Sequence, residues 1–200
     1  MQSFMHGIVL ALGLILPLGV QNLLVFNQGV MQANFFRALP VVVTAAACDT
    51  LLILLAVHSV SLLLLKFSVL KIFLLGLGTV FLGYMGWLTW NKAMIPDKAA
   101  AAKSLSVKQQ IVFAVTVSLL NPHAVLDTIG VIGTSSANYE GQDKLFFTLA
   151  CIMVSWGWFF LLAAFGRVLG RQKEFAKGLV VINKVSALFM WGSALYMISR

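Results

Sequence analysis

Long runs of apolar residues follow one another along the chain, with short polar segments between them. A helix needs about 20 apolar residues to cross the hydrocarbon core of a bilayer. Six stretches meet this requirement and predict six transmembrane helices, at about residues 4–26, 38–65, 69–90, 109–133, 145–166 and 178–199. The sixth is counted as a span although Lys184 interrupts it, because a lysine near a helix end can extend to the membrane surface.

Composition supports a membrane protein. Of the 200 residues, 60% are apolar and 10% are charged, and the mean hydropathy is +0.97. An ordinary soluble domain has roughly 45–50% apolar and about 25% charged residues. The fold class predicted is an all-α integral membrane protein with one transmembrane domain over residues 1–200. Both cysteines, Cys48 and Cys151, fall inside predicted spans, so no disulfide framework is expected.

The basic residues predict the orientation. The net charge of +8 does not indicate nucleic-acid binding, because the lysines and arginines lie in short loops between apolar spans. One side of the predicted bundle receives ten of them: Arg37, Lys92, Lys98, Lys103, Lys108, Arg167, Arg171, Lys173, Lys177 and Lys184. The other side receives four: Lys66, Lys71, Lys144 and Arg200. The richer side is predicted to be cytoplasmic, which puts both termini outside.

A basic linker at about 91–108 divides the chain into two sets of three spans, about 1–90 and 109–200. Pro17 and Pro122 occupy matching places in the first span of each half. Because three crossings are an odd number, the second half would run inverted relative to the first, as in many secondary transporters. The sequence therefore predicts a 3+3 inverted repeat.

The prolines also predict interrupted helices. Near Pro17, with Gly19 beside it, and near Pro122, helix breaks would free backbone N–H and C=O groups. Such groups are tolerated within a membrane where they line a cavity or are buried in protein. Interrupted helices therefore indicate a binding site, although two ordinary proline kinks in packed helices remain the alternative.

Two acids, Asp49 and Asp127, lie well inside apolar segments. An aspartate at a helix centre costs about 2.5–3.5 kcal/mol unless it is paired, protonated or hydrated. Since the spans offer no central lysine or arginine, we expect the positive charge to come from a cationic substrate, a proton or both. The alternative is that each acid is protonated and hydrogen-bonded for helix packing.

Polar neighbours complete the candidate site. Gln21, Asn22 and Asn121 offer amide groups, and an interrupted helix beginning near Gly19 or His123 would present N–H groups to a carboxylate. His123 and Asp127 are four residues apart on one helical face, where they could share a proton or bind a metal. A hydrogen-bonded structural histidine is the plainer interpretation. The predicted substrate-binding or proton-coupling set is Asp49, Asp127, Gln21, Asn22, Asn121, His123 and Thr128.

Tryptophans mark the ends and the interior of the spans. Trp87 and Trp90 end the third span and are typical of interfacial anchors rather than of a cation-binding box. Trp156 and Trp158 lie deeper in the fifth span, where they could face either lipid or a cavity.

Three segments carry a resemblance: Ile15–Asn22, Cys48-Asp49 and Asn121–Thr128. Together they resemble the signature segments of the LysE-type lysine/arginine exporter family, especially its arginine-exporter branch, and the likeness covers the whole chain. That branch typically has a second proline where Val20 stands and an aromatic residue where Val125 stands. The resemblance implies export of L-arginine, or of L-lysine, from a bacterial cell by a multi-pass inner-membrane protein, with Asp49 and Asp127 as the matching acids.

Electrostatics favours proton antiport for such an exporter. Moving a cation out of a negative interior costs about 2.3 kcal/mol per 100 mV. One-for-one exchange with a proton is electrically neutral. An acid that binds either a proton or the substrate, but not both at once, would couple the two movements in this way. The expected partners are the basic amino acid, protons and the lipid bilayer, and the carrier is expected to work alone or as a homodimer.

Other functions stay open at this level. The first is export of neutral amino acids, or of divalent metal cations bound by Cys48, Asp49, His123 and Asp127. An intramembrane enzyme is disfavoured, because neither the His-Glu-x-x-His nor the Gly-x-Ser-x-Gly pattern occurs. A purely structural subunit would leave two costly acids without a role. No cofactor, resident metal or nucleic-acid partner is expected.

Overall fold

The computed structural model describes most of the first, second, fourth and fifth predicted spans. The described residues are 1–16, 19–60, 105–121, 124–125 and 128–170, with single helical positions between 76 and 91 and between 181 and 195. Pro17, Pro122, His123 and Asp127 lie outside this set.

All regular structure in the described part is helical. The five main helices are α1 (Gln2–Ile15), α2 (Val20–Met31), α3 (Phe35–Leu55), α4 (Val107–Leu119) and α5 (Gly141–Leu169). Wider π-helical turns extend α3 over Ala56–Val60 and follow α4 over Thr128–Gly133, which leads into a single α-helical turn, Thr134–Ser136.

Two of these helices are long and apolar enough to cross a membrane. They are Phe35–His58, with 24 residues, and Gly141–Leu169, with 29 residues, and they correspond to the second and fifth predicted spans. Helices α1 and α2 are inclined by 79° to each other across residues 16–19. If the two together form one bent span, the described part of the chain has a third crossing. The chain is thus an all-helical membrane protein, while the six-span count and the 3+3 repeat stay predictions.

The start of α4 follows from its sequence. Ser106 and Gln109 form a capping box, in which the backbone N–H of Ser106 donates to Oε1 of Gln109 at 3.0 Å and the Gln109 N–H donates to the Ser106 hydroxyl at 3.4 Å. Such caps satisfy the N–H groups that a first helical turn leaves unpaired.

Helix α5 is the packing centre, with α1 along its first half and α2 along its second. At Gly7, an added Cβ would meet the carbonyl oxygen of Phe147 at 2.7 Å. Gly29 and Gly166 bring α2 and α5 into direct backbone contact, because a Cβ on either would overlap a carbonyl of the other helix. Small residues permit such close crossings in membranes. The break between α1 and α2 therefore lies beside the middle of α5.

One end of the bundle is basic and tightly hydrogen-bonded. We call it the basic end; Arg37, Lys108 and Arg167 lie there. Arg167 Nη1 donates to the carbonyl of Gln32 at 2.7 Å, just past the end of α2. The side chains of Gln32 and Gln110 both donate to the carbonyl of Leu105, each at 3.0 Å. These bonds join the ends of α2 and α5 to the start of α4.

The opposite end joins the starts of α1 and α5. The Ser3 hydroxyl donates to Oδ1 of Asp143 at 2.7 Å, and Nδ1 of His6 lies 2.8 Å from the hydroxyl of Tyr139. Asp143 is in the first turn of α5, where the helix dipole favours a negative charge.

Described positions of the third and sixth predicted spans pack against each other. Trp191 Nε1 donates to the carbonyl of Gly83 at 3.2 Å, and its ring centroid lies 5.5 Å from that of Trp90. Lys184 Nζ lies 5.4 Å from the centroid of the Trp90 ring. The Trp90 ring therefore contacts a cation that the chain itself supplies, while its role as an interfacial anchor stays a prediction.

Candidate functional site

Asp49 lies near the middle of the continuous helix made by α3 and its π-helical extension to Val60, about 20 Å from its start at 1.5 Å per residue. The residues before it, Ala45 to Cys48, are small. Small side chains let neighbouring helices approach closely, and polar groups on those helices therefore reach the short Asp49 carboxylate.

Two neutral side chains from two other helices bind this carboxylate. Gln21 Nε2, from the first turn of α2, donates to Oδ1 of Asp49 at 2.8 Å. The Ser155 hydroxyl, from the middle of α5, donates to Oδ2 at 3.0 Å. Gln21 and Ser155 are both buried. We refer to Asp49, Gln21 and Ser155 as the central triad.

Two tryptophans that follow Ser155 on α5 form hydrogen bonds with the neighbouring helices α3 and α2. Trp156 Nε1 donates to the hydroxyl of Thr50 on α3 at 3.1 Å. Trp158 Nε1 donates to Oδ1 of Asn22 on α2 at 3.3 Å. Both indole N–H groups thus donate to polar side chains of neighbouring helices.

Asn22 is brought to the site but is engaged by the protein itself. Besides accepting from Trp158, its side-chain amide donates to the carbonyl of Ile15 at 2.6 Å. Ile15 ends α1, and the last carbonyls of a helix have no partner within that helix. Asn22 therefore satisfies a backbone group that the break between α1 and α2 exposes.

Gly19 precedes α2 in an extended conformation, with φ −76° and ψ 174°, and has no side chain to cap the helix. The first turn of α2, which includes Gln21, carries the partial positive charge of a helix amino end. A negative group could bind there, next to the negative Asp49, which suits a solute with charges of both signs.

The second half of the chain contributes polar groups on α4 and just after it. Ser118 lies beside the thiol of Cys48, which puts α4 next to the triad's helix. Asn121 is buried, and within the described residues its Oδ1 has no hydrogen-bond partner; the same holds for Oε1 of Gln110. Thr128 is partly buried at the start of the π-helical segment. Asp127 and His123 lie outside the described residues, so their predicted approach to Asp49 stays a prediction.

The other charges of the described helices lie at helix ends: Arg37, Lys108, Asp143, Lys144 and Arg167. Asp49 therefore holds a carboxylate deep in the bundle with neutral donors on both oxygens. A proton or a cationic group can bind such a carboxylate strongly, because burial weakens the competition from water. For a metal ion, the described part of the chain holds no group of three or more His, Cys, Asp or Glu side chains.

Ser155 was not among the residues predicted from the sequence. A serine in an apolar helix is usually a packing residue, and it becomes noteworthy here through its contact with Asp49. No signal in the sequence separates Ser155 from the other hydroxyl residues of the apolar helices.

Comparisons with known proteins agree on one family. The sequence profile of the LysE type translocators matches residues 12–200. YisU of Bacillus subtilis strain 168, whose name proposes that it transports amino acids, is 50% identical over 197 residues, covering 98% of this chain and 89% of its own. The arginine exporter protein ArgO of Pectobacterium carotovorum strain PC1 is 31% identical, covering 96% of this chain and 94% of its own.

ArgO of Escherichia coli strain K12 is also 31% identical, over 96% of this chain and 91% of its own. No solved structure matches the chain.

Proposed function

Because the chain belongs to the LysE-type translocator family, it is a membrane transporter rather than an enzyme, and we propose that it exports basic L-amino acids. L-Arginine is the first candidate, since two of the relatives are named arginine exporters, and L-lysine is the second. The proposed location is a bacterial inner membrane, with the basic end facing the cytoplasm.

The observation that carries this proposal is the central triad. Asp49 keeps a carboxylate near the middle of the helix made by α3 and its π-helical extension, and its contacts with Gln21 and Ser155 supply no positive charge. An aspartate at this depth costs about 2.5–3.5 kcal/mol if it is left uncompensated. A guanidinium or ammonium group of the solute would offset that cost by pairing with Asp49.

Neighbouring groups suit the rest of a basic amino acid. The amino end of α2, at Gly19 and Gln21, would attract the solute's α-carboxylate. The Oδ1 atom of Asn121 would accept a hydrogen from the cationic group, which is rich in N–H donors. Asp127, His123 and Thr128 are proposed to complete the site from the second half, next to a second helix interruption at Pro122 that mirrors the one at Pro17.

Proton antiport supplies the proposed driving force. Asp49, Asp127 or both would bind either a proton or the substrate cation, so that one charge moves in for each charge that moves out. Alternating access would come from rocking of one group of helices against another around the midplane site.

Counterflow in proteoliposomes tests the substrate. Vesicles loaded with unlabelled arginine should accumulate labelled arginine when the full chain is present, and lysine outside should compete. Alanine, leucine and Mn²⁺ are the comparison solutes. Equal competition by a neutral amino acid, or accumulation of manganese in place of arginine, would contradict a basic amino acid as the substrate.

A further inference from the structure

The two hydrogen bonds to Asp49 differ in what the donor can do. The Gln21 amide group that faces Oδ1 is an NH₂ group, which donates hydrogen bonds and accepts none. The Ser155 hydroxyl that faces Oδ2 can donate or accept. The two oxygens of Asp49 are therefore not equivalent sites for a proton.

Proton binding at Oδ1 would place a new O–H opposite the Gln21 N–H, two donors facing each other, and the bond between them would be lost. Proton binding at Oδ2 preserves both contacts. The new Oδ2–H donates to Oγ of Ser155, while Gln21 continues to donate to Oδ1. We propose that Oδ2 is the proton-binding atom of Asp49 and that Ser155 is the positioning residue that couples proton binding to transport.

The hydroxyl hydrogen of Ser155 has an acceptor to turn to. In a helix, a serine or threonine hydroxyl can donate to the carbonyl four residues earlier, which for Ser155 is that of Cys151. Four threonines of α3, α4 and α5 already do so: Thr44 to Pro40 at 2.7 Å, Thr50 to Ala46 at 2.8 Å, Thr116 to Val112 at 2.8 Å and Thr148 to Lys144 at 2.7 Å. Ser155 instead donates to Asp49, and rotation of its hydroxyl about the Cβ–Oγ bond would turn the hydrogen away from Oδ2 while Oγ stays in place to accept from a protonated Oδ2.

Among the described residues, the groups around Asp49 leave this role to Ser155. Asp49 contacts Gln21 of α2 and Ser155 of α5. Cys151, one turn before Ser155 on α5, instead directs its thiol to the carbonyl of Gly7 at 3.6 Å. On its own helix the titratable neighbour is Cys48, with Ser118 of α4 beside it. The charged residues of the described parts of these helices lie at their ends.

This inference rests on the proposed proton antiport, and its test separates two transport modes. Arginine-for-arginine exchange needs no protonated carrier, whereas net arginine movement driven by an imposed pH gradient does. Both rates are measured in proteoliposomes for the full-length chain and its Ser155→Ala, Ser155→Thr and Gln21→Leu variants. The quantity compared is the ratio of the pH-driven rate to the exchange rate.

Ser155→Ala should lower this ratio about tenfold, since the protonated acid loses its acceptor. Ser155→Thr, which keeps a hydroxyl, should restore it. Gln21→Leu removes a bond that both protonation states make, so it should slow both modes and leave the ratio within twofold of wild type. An unchanged ratio in Ser155→Ala, or an equal fall in Gln21→Leu, would overturn the role of Ser155.

Failure of the proposed function would look different, because the wild-type protein itself would then show no arginine exchange or no response to the pH gradient. Infrared spectroscopy gives a readout without transport. The C=O band of the protonated Asp49 carboxyl, identified by its loss in Asp49→Asn, should shift to higher frequency in Ser155→Ala and stay near its wild-type position in Ser155→Thr. An unshifted band in Ser155→Ala would also refute the assignment.

Discussion

Two aspartates of this protein make nearly the same contact in very different places. Asp143 accepts a hydrogen bond from Ser3 at 2.7 Å, and Asp49 accepts one from Ser155 at 3.0 Å, in each case across two helices. Asp143 is exposed in the first turn of α5, whereas Asp49 is partly buried and lies well inside α3.

Position, and not the number of hydrogen bonds, separates these two acids. At Asp143, water and the amino end of α5 both stabilise a negative charge, so the carboxylate needs no further partner. Asp49 lies inside the bundle, away from the ends of its own helix, and its described side-chain donors, Gln21 and Ser155, are neutral. Its charge therefore calls for a proton or a cation. The same type of serine–aspartate hydrogen bond thus joins two helices at the end of the bundle and forms part of a candidate binding site in its interior.

The largest expected effect comes from neutralising each acid in turn. Asp49→Asn should lower arginine counterflow at least a hundredfold, because the amide cannot pair with a cation or take up a proton. Asp143→Asn should change it less than threefold. Initial rates, normalised to the protein present in the vesicles, decide the matter.

Asp127→Asn is expected to abolish efflux as Asp49→Asn does, with the protein still inserted in the membrane. Wild-type efflux in that variant would remove Asp127 from the proposed site.

The central triad should also depend on helix spacing more than the terminal pair does. Gly166→Leu would force α2 away from α5, at about 1–3 kcal/mol of overpacking, and should lower the melting temperature in detergent by about 5 °C. The matched control is Gly157→Ala, since an added Cβ at Gly157 meets nothing within 4 Å. Equal melting temperatures for the two variants would contradict the close crossing.

Removing the neutral donors should give a smaller contrast. Gln21→Leu deletes a 2.8 Å bond to the partly buried Asp49 carboxylate and should slow counterflow about tenfold. Ser3→Ala deletes the corresponding bond to the exposed Asp143 and should slow it no more than twofold. Similar losses in both variants would mean that depth in the bundle does not decide the importance of these bonds.

The smallest effect is expected at the flanking indoles. Trp158→Phe keeps the ring but removes the N–H that donates to Asn22, and should slow counterflow about threefold. Trp87→Phe is the control, because Trp87 is exposed. Loss of transport in the control would point to general damage from replacing a tryptophan.

Much of the framework follows from hydrophobicity alone. The spans predicted at 38–65 and 145–166 contain most of α3 and α5, because a long apolar run in a bilayer has few alternatives to a helix. Asp49 stood out for the same reason, as a charge in an apolar run. Gln21 was predicted as an amide-bearing neighbour of the acids, and the structure puts it in contact with Asp49.

What the sequence could not predict depends on helix rotation and on contacts distant in the chain. Asn22 was predicted as a site residue, but its contacts with Ile15 and Trp158 depend on the 79° turn between α1 and α2 and could not be read from the sequence. Ser155 is one of several hydroxyls in apolar helices. Gln32 and Gln110 both donate to the carbonyl of Leu105, and this contact joins positions 73 residues apart in the chain, which local sequence patterns do not relate.

The glycine crossings make one part of the bundle stiffer than the rest. Gly7 fixes α1 to α5, and Gly29 with Gly166 fixes α2 to α5, backbone against backbone. We therefore expect α1, α2 and α5 to move together as one rigid group. Asp49 lies on α3, which is outside this group of three helices, and its hydrogen bonds to Gln21 and Ser155 connect α3 to α2 and α5. A change of charge on the Asp49 carboxylate would therefore strengthen or weaken the contact between α3 and the other three helices.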